Sequence, residues 1–312
     1  MLMTYSQQVK NFLCEKSWEE FKAESNYEKA KFFLYGILLF SGEFGFERII
    51  LKCENSNILE VCAYVLINCF DADIKITERK KGDGLCYTIS VDKAEDIKKI
   101  TDNFGYTSED VSVYRIKKRP DADCRQYFLR GVFVACGNIH SPQKSYHLEF
   151  STSRMTLSGE LFSLLEEAGI DIKKTTRRSY YVLYCKGSES IEDFLMLLGA
   201  ENFAYDVIET RIEKGIINNI NRVSNFESAN LNKTIDAAAI SLSAIAYLRE
   251  QGVFESLPES LKETAKLREE NPELTLSELC KLFKKPISKS GLCHRINKII
   301  TTAREYSDYT LF

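Results

Sequence analysis

Two nine-residue stretches with the same arrangement of glycines constrain the fold of this chain more than any other feature. The first, residues 34–42, has glycine at its third and ninth positions, and so has the second, residues 129–137. Both begin with leucine, and they lie 95 residues apart. Equal spacing at two distant places indicates an internal duplication.

The pattern of elements around the two stretches also repeats. We predict the order helix, strand, helix, strand, strand, helix in both copies, over about residues 26–105 and 121–199. The predicted elements are 27–41, 48–53, 58–70, 73–79, 85–91 and 92–103, then 121–136, 145–151, 154–168, 171–176, 180–186 and 190–198. We expect a duplicated α/β domain at residues 26–200, after an N-terminal helix at 1–25, with four-stranded sheets that make one curved surface.

The glycines themselves predict how the two copies meet. Glycine inside a helix costs about 1 kcal/mol relative to alanine, but it lets two helix backbones approach closely. Gly36 matches Gly131 and Gly42 matches Gly137, so one symmetric helix–helix contact would explain all four. Helix-ending glycines, the alternative, would account only for Gly42 and Gly137.

These stretches resemble the paired helices of LAGLIDADG homing endonucleases, in which an acidic residue before the final glycine carries the metal chemistry. Ser41 and Cys136 occupy those places here. Neither is the hard anionic oxygen ligand that magnesium requires. Glu43 is acidic but lies beyond the motif, and its counterpart in the second copy is Asn138. We therefore expect a nuclease scaffold without catalytic residues.

Composition excludes several classes of protein. The net charge of −3 means that any nucleic-acid surface must be a local patch. Ten cysteines without a C-x-x-C pair, and three histidines, predict no metal site and no cofactor. No stretch approaches the roughly 20 apolar residues of a membrane span. We expect a cytoplasmic protein, with no membrane contact and with mostly buried, reduced cysteines.

Residues 255–312 are predicted to form a separate all-α domain with a helix-turn-helix. A first helix ends before Asn271-Pro272, and Thr275 with Glu278 forms a capping box for a second helix that buries Leu276, Leu279, Leu282 and Phe283. Ser288 or Ser290 then caps a last helix that runs to about residue 306. Residues 275–304 carry seven basic residues against Glu278 alone, a net charge of +6 that would attract phosphates.

The last helix is predicted to bury one stripe and to present the opposite face to DNA. Leu292, Ile296, Ile299 and Ala303 share a stripe at helical spacing. Side chains on the other face can reach base edges, while basic ones near it suit phosphates. The candidate DNA-binding residues are Lys284, Lys285, Ser288, Lys289, Ser290, His294, Arg295, Asn297 and Lys298. A helical bundle with a solvated basic face is the alternative.

Residues 201–254 are predicted to be a helical connecting segment that an asparagine-rich stretch interrupts, with a hinge at residues 252–258. Asparagine prefers caps and turns to helix interiors. These asparagines are expected either to bond helix ends together or to contact nucleic acid, and Arg222 and Asn225 are the candidates for the second role.

Basic residues also occur in the duplicated domain. They are Lys117, Lys118, Arg119, Arg125, Arg130, Lys173, Lys174, Arg177 and Arg178. Solvated surface charge and a residual nucleic-acid or partner surface are both compatible with this pattern.

The order of parts strongly resembles the WhiA family of bacterial DNA-binding regulators. The resemblance rests on the degenerate duplication, on residues 221–234 and on residues 286–296, and it covers nearly the whole chain. It implies a non-enzymatic, nucleoid-associated transcriptional regulator that binds double-stranded DNA through residues 275–306. It also implies roles in cell division and chromosome segregation, in sporulation in some relatives, and in some relatives an iron–sulfur regulator as protein partner.

The predicted fold class is thus α+β, a duplicated LAGLIDADG-like domain followed by a separate helix-turn-helix domain. A protein-binding adaptor with weak, nonspecific DNA affinity is one alternative function. A magnesium-dependent nuclease that uses Glu43 is the other.

Overall fold

A computed structural model describes residues 3–24, 27–81, 84–107, 109–110 and 114–306 of the chain. The chain divides into two compact units, residues 1–214 and residues 215–312. One helix, Glu201–Glu250, contributes to both units. The predicted domain limits near residues 200 and 255 therefore differ from the limits of the compact units.

The first unit contains the predicted duplication. Its helices are α1 (Tyr5–Glu24), α2 (Tyr27–Ser41), α3 (Ser56–Phe70), α4 (Ala94–Asn103), α5 (Ala122–Cys136), α6 (Met155–Glu167), α7 (Ser188–Leu197) and the start of α8 (Glu201–Glu250). Its strands are β1 (Glu43–Phe44), β2 (Ile49–Cys53), β3 (Lys75–Lys81), β4 (Gly84–Val91), β5 (Gly137–Ile139), β6 (Leu148–Thr152), β7 (Lys173–Arg177) and β8 (Tyr180–Cys185).

Each copy forms one four-stranded antiparallel sheet, with the strand orders β1-β2-β4-β3 and β5-β6-β8-β7. Corresponding strands pair in the same order, so the α+β duplication is confirmed. The predicted element order lacked β1 and β5, which directly follow the glycine-containing helices. Two or three residues are too few to show the alternation that marks a strand in a sequence.

Helices α2 and α5 pack backbone to backbone at Gly36 and Gly131. A Cβ atom placed on Gly131 would lie 2.0 Å from the carbonyl oxygen of Phe33, and one on Gly36 would lie 2.4 Å from that of Phe128. No side chain fits between helices at such distances. The predicted close contact of the two helices is confirmed at this pair.

Gly42 and Gly137 do not belong to that contact, so the prediction that one contact explains all four glycines is wrong. A Cβ on Gly42 would meet the carbonyl oxygen of Ile50, in β2, at 2.8 Å. A Cβ on Gly137 would meet the side chain of Phe133, in the preceding helix α5, at 2.3 Å. These two glycines lie where each helix ends and the chain turns into the first strand of its sheet.

The second unit packs around two apolar clusters. Its elements after α8 are a 3-10 turn at Phe254–Ser256, α9 (Glu259–Glu270), α10 (Leu276–Leu279), a 3-10 turn at Cys280–Leu282 and α11 (Lys289–Glu305). One cluster contains Ala244, Ile245, Leu248, Phe254, Leu257, Leu261, Ala265, Ile299 and Ala303. The other contains Leu279, Phe283, Leu292 and Ile296.

Helix α8 runs unbroken for 50 residues, so the predicted interruption by asparagines is wrong. The intrinsic penalty of asparagine in a helix is at most about 0.7 kcal/mol per residue, and the surrounding helix formers outweigh it. The predicted hinge at residues 252–258 also differs from the structure. Gly252, with φ of +67°, ends the helix, and Phe254 and Leu257 are buried in the same cluster as Leu248.

One buried position in the second unit was predicted wrongly. Leu282 is 45% exposed, because the helix that the capping box opens is only one turn long before the 3-10 turn redirects the chain. Leu279 and Phe283 are buried as predicted, whereas Leu276 is only half-buried.

Candidate nucleic-acid interface

Helices α10 and α11 begin with side-chain caps. The Thr275 backbone N–H donates to Glu278 Oε2 at 2.9 Å, and the Glu278 N–H donates to Thr275 Oγ1 at 3.3 Å, which is the predicted capping box. Ser288 caps α11 by accepting a hydrogen bond from the Gly291 N–H at 3.1 Å. Each cap satisfies helix N–H groups that lack intrahelical partners, and so determines where its helix starts.

Helix α11 has one buried and one exposed face, as predicted. Leu292, Ile296, Ile299 and Ala303 are buried. The opposite side presents Ser290, His294, Asn297, Lys298 and Thr301, all exposed. Hydroxyl, imidazole and carboxamide groups can donate or accept hydrogen bonds at base edges. The outer face therefore has the chemistry of a recognition surface.

Lysines surround this face. Lys281, Lys284, Lys285, Lys289 and Lys298 are exposed. Within the part of the chain that the structure describes, none of their ammonium groups forms an ion pair. Glu278 is the single acidic residue of residues 275–304, and hydrogen bonds from Thr275 lower the pKa of its carboxyl, so it stays ionised. One carboxylate offsets only one of the seven basic side chains in this segment, so the patch keeps a net positive charge.

Two roles were predicted for Ser288, capping α11 and binding DNA, and the structure shows the first. Its side-chain oxygen accepts the cap hydrogen bond from Gly291. The hydroxyl oxygen is consequently already used to start α11, and Ser290, whose side chain is exposed two residues further along, is the freer of the two serines.

Arg295 differs from the other predicted phosphate contacts because it packs within the unit. Its guanidinium lies 5.7 Å from the centre of the Phe283 ring and donates to the Ser260 carbonyl at 3.4 Å. Glu263 lies 4.0 Å away. These contacts hold α11 against α9, so Arg295 is less available to DNA than the lysines.

Arg222 and Asn225 are exposed on the unbroken helix α8. At 100° per residue, Asn225 shares a strip about 60° wide with Asn218, Asn221 and Asn232, all of them exposed. The prediction missed this strip because it treated the asparagines as helix breakers. Their spacing of three, four and seven residues was the available signal.

The basic residues of the first unit are mostly engaged. Arg130 is fully buried, and its Nη1 lies 2.6 Å from Glu20 Oε2. Lys118 pairs with Glu28 at 3.2 Å, and Arg119 pairs with Glu167. Lys117 and Arg177 likewise pair, with Asp110 and Glu149. The interpretation of this set as one basic surface is therefore wrong for Arg130 and weakened for the paired residues.

Ser41 and Cys136 end the two central helices, where the endonucleases carry their acids. Ser41 is exposed, and its hydroxyl donates to the Ile37 carbonyl at 3.0 Å. Burial raises the pKa of the Cys136 thiol to about 12, so it stays protonated. Lys10 of α1 approaches this region, and burial lowers the pKa of its ammonium.

Helix α1 also borders an open cleft of about 910 Å³ beside the ends of the central helices. Gln7, Lys10 and Asn11 of α1 line it, and so does Ser41. The sequence offered no signal that the N-terminal helix would border the ends of the central helices.

Among the described residues, no three His, Cys, Asp or Glu side chains are grouped in a way that could hold a metal ion. No helix in the described ranges is long and apolar enough to cross a membrane.

Comparison with known proteins identifies the family. The WhiA LAGLIDADG-like domain model matches residues 125–216, and the WhiA C-terminal HTH domain model matches residues 220–303. The chain is 33% identical to the probable cell division protein WhiA of Clostridium novyi over 97% of this chain and 98% of that protein. It is 31% identical to the protein of the same name from Clostridium botulinum, with the same coverage.

Among solved structures, the crystal structure of full-length DUF199/WhiA from Thermatoga maritima matches with a TM-score of 0.58 and 23% identity. The match covers 98% of this chain and 100% of that one, and it supports the fold. Sequence relatives, family models and fold agree along the chain, which belongs to the WhiA family.

Proposed function

We propose that the chain is a sequence-specific regulator that binds double-stranded DNA through its helix-turn-helix and acts in cell division and chromosome segregation. It would work on the nucleoid in the cytoplasm, and regulation of sporulation is the corresponding role in some relatives. The names of the relatives support the cell-division part, and the matching HTH model supports the DNA-binding part.

The observation that carries the proposal is the outer face of α11. Hydrogen-bonding side chains at His294, Asn297 and Ser290 are exposed on one helix face, and Lys289 and Lys298 are exposed beside them. A helix that enters the major groove needs this combination, because base edges require hydrogen-bond donors and acceptors while phosphates require cations. The buried opposite face keeps the helix rigid.

We assign different tasks to the site residues. The lysines at positions 284, 285, 289 and 298 bind phosphates and supply affinity, whereas His294 and Asn297 discriminate bases. Arg222 and Asn225, on α8, are auxiliary contacts to the DNA backbone. Ser288 and Arg295 position α11 through the cap and the contact with Phe283.

The first unit acts in this proposal as a scaffold without nuclease activity. Ser41 and Cys136 offer no carboxylate for a metal ion at the helix ends. Incubating the full chain with supercoiled DNA and magnesium is expected to leave the DNA intact. Nicking that disappears in Glu43→Gln would contradict the scaffold role and support the nuclease alternative.

The decisive experiment compares two double variants of the full chain on genomic fragments that the unmodified protein selects. Lys289→Ala with Lys298→Ala is expected to weaken binding and to reduce the slope of log affinity against log salt by about 2, one unit for each lost phosphate contact. The control, Lys98→Ala with Lys144→Ala, removes two exposed lysines of the first unit and is expected to leave the slope unchanged.

Point variants are preferable to removing residues 275–312. Ile299 and Ala303 complete the cluster around Ile245, so truncation would unfold the unit. Equal slopes for both double variants would refute the assignment of DNA binding to α11. Equal affinity of the unmodified chain for selected and random duplexes would instead favour the protein-binding adaptor.

A further inference from the structure

Lys10 of helix α1 lines the open cleft of about 910 Å³ beside the ends of the central helices, and its side chain is half-buried. Within the described residues its ammonium forms no hydrogen bond and no ion pair. Its charged group lies 5.8 Å from the centre of the Phe133 ring. That distance is close to the limit of a cation–π contact, so the ring compensates little of the hydration that burial removes.

The titratable groups near Lys10 do not supply a counterion. Burial raises the pKa of the Cys14 thiol and of the Cys136 thiol to about 12, so both stay uncharged. The other titratable groups that line the cleft are Glu15, Lys52, Cys53, Glu54 and Cys86. Burial accordingly lowers the pKa of the Lys10 ammonium. A larger share of this amine than of an exposed lysine is therefore neutral and nucleophilic.

The cleft gives a small molecule access to this amine. Its volume lies in the range of roughly 300–1,000 Å³ that is usual for small-molecule sites. Apolar side chains from the two central helices, among them Ile37 and Val134, line it together with polar groups of α1. The Gln7 carboxamide oxygen accepts a hydrogen bond from the Thr4 N–H at 2.8 Å, which leaves the Gln7 NH₂ group to donate to a carbonyl oxygen.

We propose that Lys10 is an acylation site, whose amine accepts an acyl group from a small activated donor that enters the cleft. The donor is an acyl thioester or an acyl phosphate, which share an activated carbonyl carbon. The Lys10 Nζ lone pair attacks this carbon, and an N–C bond forms. The bond from carbon to sulfur or to the phosphate oxygen breaks, and its electron pair leaves with the thiolate or phosphate. The proton lost from the nitrogen goes to that leaving group.

Acylation would remove an uncompensated charge from the first unit. The amide that forms is neutral, so it does not carry the desolvation cost of a half-buried ammonium. The folded chain can therefore accommodate the product. The inference is independent of the proposed function, because it concerns a different unit from α11 and is tested without DNA.

The test treats the full folded chain with acetyl coenzyme A, and in a separate reaction with acetyl phosphate. Mass spectrometry of peptides follows the acetylation of each lysine. Lys98 and Lys144, two exposed lysines of the first unit, are the references. At about pH 7, Lys10 is expected to react at least about threefold faster than either reference. Between about pH 7 and pH 10, its rate should also level off at a lower pH than theirs.

A matched pair of variants tests the surroundings of the amine. Gln7→Glu places a carboxylate in the cleft, three residues from Lys10 on the same face of α1. This carboxylate would stabilise the ammonium and slow the acetylation of Lys10 at least about twofold. Gln8→Glu adds the same charge at an exposed position on the other side of the helix. It should leave the rate unchanged.

Unfolding the chain in urea should abolish the preference for Lys10, because all three lysines then have the same surroundings. Equal or slower reaction of Lys10 than of the references with both donors overturns the proposal. A preference that persists in urea overturns it too, and so do two variants that slow the reaction equally. Reaction with only one of the donors supports the site and identifies the thioester or the acyl phosphate as the source of the acyl group.

Discussion

The basic side chains near the central helices of the first unit and those of α11 in the second unit have different environments. In the first unit, Lys118 and Arg119 are bound to acidic partners and Arg130 is buried against Glu20. In the second unit, Lys289 and Lys298 are exposed, and Glu278 is held by its cap. The paired cations of the duplicated scaffold stabilise its fold, whereas the lysines of α11 stay exposed and can meet phosphates.

The two units also differ in how their helices are held together. The first unit depends on a backbone contact that admits no side chain, at Gly36 and Gly131. The second unit is held by caps and by two small apolar clusters. The first should therefore fail sharply when one atom is added in the wrong place, and the second should respond gradually to changes on its surface.

The largest effect is expected from Gly131→Ala. Its Cβ would lie 2.0 Å from the Phe33 carbonyl oxygen, so the two helices must move apart, at a cost of more than about 3 kcal/mol. Urea unfolding followed by the fluorescence of Trp18, the single tryptophan, reports on the first unit. Gly159→Ala is the control, because nothing lies within 4 Å of its Cβ, and it should raise stability by up to about 1 kcal/mol. Similar values for the two variants would show that the close helix contact does not carry the fold.

Asn297→Ala should have the next largest effect, and on specificity more than on stability. Loss of a carboxamide that reads a base should reduce discrimination at one base pair by about 1–3 kcal/mol. Competition between a selected duplex and single-base variants measures it. Asn68→Ala, on an exposed face of α3, should change nothing. An unchanged preference at every base pair in Asn297→Ala would remove this residue from the recognition surface.

Comparing Arg295→Ala with Lys298→Ala distinguishes a cation of α11 that stabilises the fold from one that binds DNA. Arg295 contacts Phe283 and Ser260, so its loss should lower the stability of the second unit by about 1 kcal/mol. Lys298→Ala should leave stability unchanged and reduce the salt slope by about 1. Thermal unfolding and salt titration of binding distinguish the two. The reverse pattern would exchange the roles assigned to these residues.

The smallest effect concerns pH. The hydrogen bonds from Thr275 lower the pKa of the Glu278 carboxyl in the folded chain. The stability that this carboxylate contributes is present above its unfolded pKa, and it is lost as pH falls through the lower, folded value. Glu278→Gln keeps a capping side chain without this titration, so its stability should decline less between pH 6 and pH 3 than that of the unmodified chain. Glu270→Gln, outside the capping box, serves as the control, and equal declines in all three would exclude the capping box as a source of pH dependence.

Much of the fold could be predicted because its signals are local. The glycine spacing, the alternation of strands and the capping box at Thr275 and Glu278 each depend on residues close in sequence. Strands β1 and β5 were missed because they are shorter than the pattern that reveals a strand. The unbroken α8 was missed because a small preference of asparagine was given too much weight against the tendency of the whole segment.

Part of the candidate site could be predicted for the same reason. The buried stripe and exposed face of α11 follow from helical periodicity. Sequence could not show that Arg295 contacts Ser260, 35 residues away, or that Arg130 is buried against Glu20. A charge has the same sequence signature whether it is free or paired, because its partner is chosen by packing.

The sequence by itself determined the duplication, the absence of acids at Ser41 and Cys136, and the charge of the helix-turn-helix. Only the tertiary structure decided which glycines touch across the central helices, which cations remain exposed, and that Ile220, Val223 and Phe226 of α8 are more than half exposed. The physical reason is that helix and strand preferences act over a few residues, whereas burial and pairing depend on groups that only folding brings within reach.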